Sequence, residues 1–176
     1  MRISIFGGPG CGKSVTAAKI FVELKVLHYD IELVHEFIKT WAYENKVPKS
    51  FDQHYIFGKQ MHAEDVLLSN GVKHIVTDSP LMMQLCYVER SGKNFSHMLS
   101  AAKEFEDKYP SLNIFLERKD LKYQEKGRWE SETQAKEMDD RILNFLNRND
   151  ISFSKVLTCS FANLMQLICH ELSLQV

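Results

Sequence analysis

Residues 7–14 read Gly7-Gly-Pro-Gly-Cys-Gly-Lys-Ser14, which fits Gly-x-x-x-x-Gly-Lys-Ser/Thr and stands between an apolar run, Ile3 to Phe6, and a segment of helical character. Glycines let the backbone turn with its amides pointing inward, so a polyphosphate can accept several hydrogen bonds while resting on a helix N-terminus. Gly8, Pro9, Gly10, Cys11, Gly12, Lys13, Ser14 and Val15 are therefore expected to cradle ATP. Lys13 would reach the β and γ phosphates, and Ser14 would ligate magnesium. A glycine-rich turn without a ligand would need the Lys-Ser pair, the strand and the helix to coincide by accident.

Outward from this loop, further apolar runs bounded by glycine or polar residues read as strands: Ile31 to Val34, Val72 to Val76, Leu112 to Leu116 and Ser152 to Leu157. The stretches between them carry helical spacing. Phe161, Leu164, Met165, Ile168 and Leu172 fall on one face, and Ala135, Met138, Ile142 and Phe145 form a second stripe that reads as core packing. Ser50 to Gln53 and Ser131 to Gln134 have capping-box spacing, in which the serine hydroxyl and the glutamine side chain satisfy each other's free amides. Strands alternating with helices imply right-handed crossovers. The expected fold is α/β: a three-layer P-loop NTPase fold, a parallel sheet of about five strands with helices on both faces, and a short basic lid over residues 117–132.

The chain has 176 residues, and its 44% hydrophobic content suffices for the buried core of one domain, residues 1–176. Lysine plus arginine (22) nearly balances aspartate plus glutamate (23), so no global basic field draws the protein to nucleic acid or an anionic membrane. Cys11, Cys86, Cys159 and Cys169 are scattered, which argues against a zinc site or a disulfide framework. The N-terminal run turns glycine-rich too early for a signal peptide, and no apolar run approaches roughly 18 residues. A cytoplasmic protein without a membrane partner is expected.

In doubly wound sheets the reactive groups gather at the carboxyl ends of strands. Two acids fall there, Asp78 after Lys73-His-Ile-Val-Thr77 and Glu36 after Ile31-Glu-Leu-Val-His35. Asp78 suits a magnesium-water contact or a general base, and Glu36 suits a base that accepts the proton of a substrate hydroxyl. Which of the two is the base stays open. Asp78-Ser-Pro80 also reads as a helix start, with Ser79 as cap and Pro80 at the first helical position. The segment Leu116 to Arg128 is crowded with positive charge. Phosphoryl transfer needs cations on the migrating charge, and a mobile basic flap supplies them while excluding water, so Arg118 and Arg128 join Lys13 as expected catalytic groups. Between Glu36 and Asn70 the chain is unusually aromatic, and Gln53, Phe57 and Gln60 share a helical face. Aromatics beside amides hold a planar base by stacking and hydrogen bonds. Glu36, Trp41, Gln53, Phe57 and Gln60 are the expected substrate contacts, against the alternative of an aromatic-rich core with Gln53 spent on capping.

With these residues in place, the whole chain resembles the nucleoside and nucleoside-monophosphate kinase group of P-loop proteins, especially the nicotinamide riboside kinase branch and its small phage-encoded relatives. The resemblance rests on the loop at 7–14, the strand-end Glu36, Val76-Thr-Asp-Ser-Pro80, Phe115-Leu-Glu-Arg118, Gly127-Arg128 and Glu132-Thr-Gln-Ala-Lys-Glu-Met-Asp139. It implies that the basic segment is a lid over ATP, that Arg118 stacks on adenine, and that the turn Thr158-Cys-Ser160 borders the base. Some phage relatives phosphorylate 5-hydroxymethyluracil within DNA, which keeps DNA open as an acceptor; a phage-encoded chain would work in the host cytoplasm.

The expected function is an ATP- and magnesium-dependent kinase acting on a nucleoside-like acceptor. A GTPase is disfavoured because Asn45-Lys-Val-Pro48 lacks the aspartate of the guanine-reading Asn-Lys-x-Asp motif. An ATPase and a catalytically silent nucleotide-binding module are the alternatives.

Overall fold

A computed structural model describes residues 1–49, 51–119 and 121–173. Each of the five apolar runs forms a strand: β1 (Arg2–Phe6), β2 (Ile31–Val34), β3 (His74–Thr77), β4 (Ser111–Glu117) and β5 (Ser154–Leu157). The strands pair in parallel in the order β2-β3-β1-β4-β5. The chain leaves central β1 toward the β2 edge and later returns to the other side through β4. Connections that part in this way open a crevice beyond the carboxyl end of the central strand.

Seven helices join the strands among the described residues: α1 (Lys13–Val26), α2 (Lys39–Tyr43), α3 (Asp52–Ser69), α4 (Leu81–Arg90), α5 (Ser96–Lys108), α6 (Glu132–Arg148) and α7 (Phe161–Glu171). Successive strand side chains point to opposite faces, and both faces are covered, which is why the strands read as continuous apolar runs. Ile3, Ile5, Ile114 and Leu116 meet Ala17, Ile20 and Leu24 of α1 and Leu164 and Ile168 of α7. Phe6 and Phe115 point the other way, into a core completed by α3 to α6, where Met138, Ile142 and Phe145 supply the stripe seen in the sequence.

The two expected capping boxes part company. Ser131 and Gln134 form theirs, with Gln134 N donating to Ser131 Oγ at 3.3 Å and Ser131 N to Gln134 Oε1 at 2.9 Å. Ser50 lies outside the described residues, α3 starts at Asp52 behind Phe51, and Gln53 Oε1 is buried without a hydrogen-bond partner among the described residues. At α4 the start falls one residue later than expected. Pro80 is the cap, extended at ψ 151°, and the Ser79 hydroxyl instead accepts from Gln84 Nε2 at 2.5 Å. Between β4 and α6 the described residues form turns and irregular backbone without a helix or strand. No helix among the described residues is long and apolar enough to cross a membrane.

Candidate active site

The chain reverses between Phe6 and Lys13, and the reversal depends on Gly12, whose φ of 94° is a left-handed conformation that side chains resist. Thr16 N then donates to Gly12 O at 2.9 Å and closes the first turn of α1. The Cys11 side chain is fully buried in the core shared by α1 and α7, so its backbone rather than its thiol belongs to the loop face. The Lys13 ammonium folds over the loop and donates to the carbonyls of Gly7 (2.7 Å) and Gly8 (2.9 Å).

A cavity of about 510 Å³ opens in front of this loop. Pro9, Gly10, Gly12, Lys13, Ser14 and Val15 form its floor, and Glu36, Gln53 and Arg128 reach it from β2, α3 and the basic segment. Glu36 and Asp78 are adjacent because the register Val34↔Thr77 sets the ends of β2 and β3 side by side. Their positions differ. Asp78 is 2% exposed and does not line the cavity; its Oδ1 accepts from Glu36 N at 3.1 Å and pins the turn that carries Glu36. Glu36 is half-buried on the cavity wall. Burial lifts its carboxyl above the usual range; Lys13 opposes that rise, Asp78 adds to it, and Lys39 and Arg128 oppose it.

Six further expected site residues lie off the cavity wall: Gly8, whose amide donates to Asp139, the buried Cys11, and Trp41, Phe57, Gln60 and Arg118. Phe57 is buried in the core, and Gln60, 1% exposed, donates to Glu64 and Thr77. The helical face they share with Gln53 turns against the sheet after the first turn of α3, leaving Gln53 alone at the cavity. Trp41 packs edge-on against Phe37, with Lys46 Nζ 3.5 Å from its ring centroid, while its neighbours Ala42 and Tyr43 line the cavity. Arg118 is held outside the wall by Asp139 and the carbonyls of Pro9 (2.6 Å) and Ala135 (3.3 Å). Thr158 hydrogen-bonds the carbonyls of Cys11 and Glu117.

The structure adds lining residues that the sequence reading passed over. Gln84, Tyr87 and Arg90 of α4 face the cavity, and Arg90 pairs with Glu130 at 3.0 Å. Burial raises the Tyr87 hydroxyl well above its ordinary range, with Glu36 and Glu130 adding to the effect, so Tyr87 stands there as a neutral phenol. The available signal was Gln84, a lone amide inside the apolar run Leu81-Met-Met-Gln-Leu85.

No group of three or more His, Cys, Asp or Glu able to cage a metal occurs among the described residues. Magnesium rarely needs such a cage, because it keeps waters and substrate phosphate oxygens and takes one or two protein oxygens. The Ser14 hydroxyl on the cavity wall is a hard oxygen donor that suits it.

A parallel sheet ordered around a glycine loop, with a lysine and serine opening α1 under a cavity, defines a P-loop nucleotide-binding fold. A family model described as an AAA domain matches residues 2–163, and the chain belongs to that family. No curated protein matches the sequence. Among solved structures, a deoxyadenosine kinase from M. mycoides with the products dCMP and dCDP bound is similar, with a TM-score of 0.54 at 17% identity, covering 98% of this chain and 99% of that one. The same enzyme with dATP bound matches with a TM-score of 0.50, and with dCTP bound with 0.51, at the same identity and coverage. At that identity the likeness bears on the fold.

Proposed function

We propose that the protein is an ATP- and magnesium-dependent kinase that transfers the γ-phosphoryl group to a hydroxyl of a nucleoside-type acceptor. The observation that carries this reading is that one cavity is lined by both Lys13 and Ser14 of the glycine loop and by Glu36, a carboxyl whose proton affinity burial has raised. A base works best with a pKa near the operating pH, and a raised carboxyl moves in that direction. The chain shares its fold with a deoxyadenosine kinase, a fold that serves this kind of transfer there.

In this mechanism loop amides and Lys13 hold the β and γ phosphates, and Ser14 supplies an oxygen to magnesium, which when bound neutralises phosphate charge. Glu36 takes the proton of the acceptor hydroxyl as its oxygen bonds to the γ phosphorus. The bond from that phosphorus to the β–γ bridging oxygen breaks, and ADP leaves. Arg128, on the cavity wall and close enough to act on the charge of Glu36, offsets the developing negative charge. Asp78 acts through the Glu36 turn. Gln53, Gln84 and Tyr87 provide the polar contacts for the acceptor.

The test is incubation with γ-labelled ATP and a panel of nucleosides, mononucleotides and DNA carrying hydroxymethylated bases. Label on one acceptor supports the kinase. Phosphate released equally with and without acceptor would make it an ATPase, and binding without turnover would make it a nucleotide-binding module. Lys13→Ala should weaken ATP binding by at least about tenfold in calorimetry, the scale of a lost charge-assisted contact of roughly 1.5–3 kcal/mol. Unchanged affinity would remove the loop from the mechanism.

A further inference from the structure

Arg118 and Asp139 form a brace on the glycine loop, and neither side chain lines the cavity. Asp139 Oδ1 accepts from Gly8 N at 2.5 Å and Oδ2 accepts from Arg118 Nε, while Arg118 Nη2 donates to Pro9 O at 2.6 Å. Arg118 therefore stands between a carboxylate and a loop carbonyl, and it does not line the cavity, whereas Pro9 and Gly10 do. The chain has no cis peptide bond, and in a trans peptide the carbonyl and the following N–H point in opposite directions. A Pro9 carbonyl drawn outward by Arg118 turns the Gly10 amide inward.

We infer that Arg118, set by Asp139, is a positioning residue that aims the loop amides at a polyphosphate, and does not itself touch the phosphates or the base. Thr158 supports the Cys11–Gly12 peptide, two further along the loop, in the same way. Its hydroxyl, 2.8 Å from Glu117 O, also reaches Cys11 O at 3.2 Å, which turns the Gly12 amide toward the cavity that Gly12 lines. The brace therefore ties the ends of β4 and β5 and the first turns of α6 to the loop. An amide already aimed at its anion loses little further freedom on binding, which is how preorganisation raises affinity. The inference rests on the nucleotide-binding reading of the loop and needs neither the acceptor nor turnover.

The test is calorimetric titration of the whole protein and its variants with magnesium-ATP and, separately, magnesium-tripolyphosphate, which has no base to stack. Arg118→Met keeps the side-chain stem and removes the fork. Asp139→Asn keeps shape and volume but sets an amide donor against either Arg118 Nε or Gly8 N. Each should weaken both ligands to the same extent, by about fivefold or more for a lost hydrogen bond. Arg118→Lys should not restore affinity, because one ammonium cannot span Asp139 and Pro9 as a planar fork does. Unchanged tripolyphosphate affinity overturns the inference. So does a loss confined to ATP, which marks an adenine contact, or recovery in Arg118→Lys, which marks a simple charge. A loss that merely tracks the unfolded fraction in parallel urea titrations overturns it as well. Failure of the unaltered protein to bind either ligand would instead remove the nucleotide-binding reading, and this inference with it.

Discussion

Glu36 and Asp78 follow the ends of neighbouring strands, and a turn of backbone separates their roles. Asp78 is spent on the Glu36 amide, whereas the Glu36 carboxyl lies in the cavity wall with its pKa raised first by burial. A raised pKa means that the folded state holds this proton more tightly than the unfolded chain does. That contribution to stability is complete below the ordinary carboxylate range and is lost as pH rises through the raised value. Glu36→Gln removes the cost of the charged form, so thermal melts should show the variant above the parent at neutral pH, by about 2–4 °C if the relief is near 1 kcal/mol. The gap should close toward pH 4. A variant melting below the parent at every pH would mean that Glu36 is held by stabilising contacts instead. In the proposed mechanism the base is the ionised form of Glu36, so transfer should climb with pH through the same window.

At the scale of elements, alternation and spacing carried most of what the chain shows. Every expected strand forms, because strands covered on both faces must be apolar throughout and so stand out between polar turns. The loop was legible because its glycines, lysine and serine are adjacent in sequence. Gln53, Phe57 and Gln60 were not separable, because helical periodicity says which residues share a face and not where a neighbour's cover begins. The cavity wall from α4 and the Asp139 brace were hidden for a related reason: Arg118 and Asp139 are brought together by the packing of α6 against the loop, which no local pattern encodes. Gly58 gives a test of the helix reading. It lies inside α3, and a methyl group added at its Cα would meet nothing within 4 Å, so Gly58→Ala should stabilise the protein by about 0.5–1 kcal/mol in urea unfolding. A loss of stability would mean that this face of α3 is covered.

Across the whole molecule, one buried charge cluster ties β1 to both α3 and α5, at the end of the sheet opposite the cavity. Arg2 is 2% exposed, bonds Glu64 at 3.0 Å, pairs with Glu106, and donates through Nε to Tyr109 O at 2.8 Å. Burial raises the Glu64 carboxyl, and Arg2 is the largest influence holding it down. Removing one partner of a buried pair costs about 3–5 kcal/mol, and Arg2→Met should approach that at neutral pH. Without Arg2, native Glu64 keeps a proton that the unfolded chain releases. The variant should therefore lose stability as pH rises from 5 to 8, as read by urea midpoints, and Glu64→Gln in the same chain should recover part of the loss. Equal losses at both pH values would place the cost in packing rather than charge.

The proposed reaction passes a γ-phosphoryl group from a triphosphate held at Lys13 to a hydroxyl facing Glu36. The most direct measurement is transfer of label from γ-labelled ATP to the best acceptor in the panel, comparing the unaltered protein with Glu36→Gln while ATP affinity is followed by calorimetry. Transfer should fall by at least about a hundredfold, the lower range for a lost general base, with ATP affinity preserved. Undiminished transfer in Glu36→Gln, or label found in free phosphate alone, would contradict the mechanism.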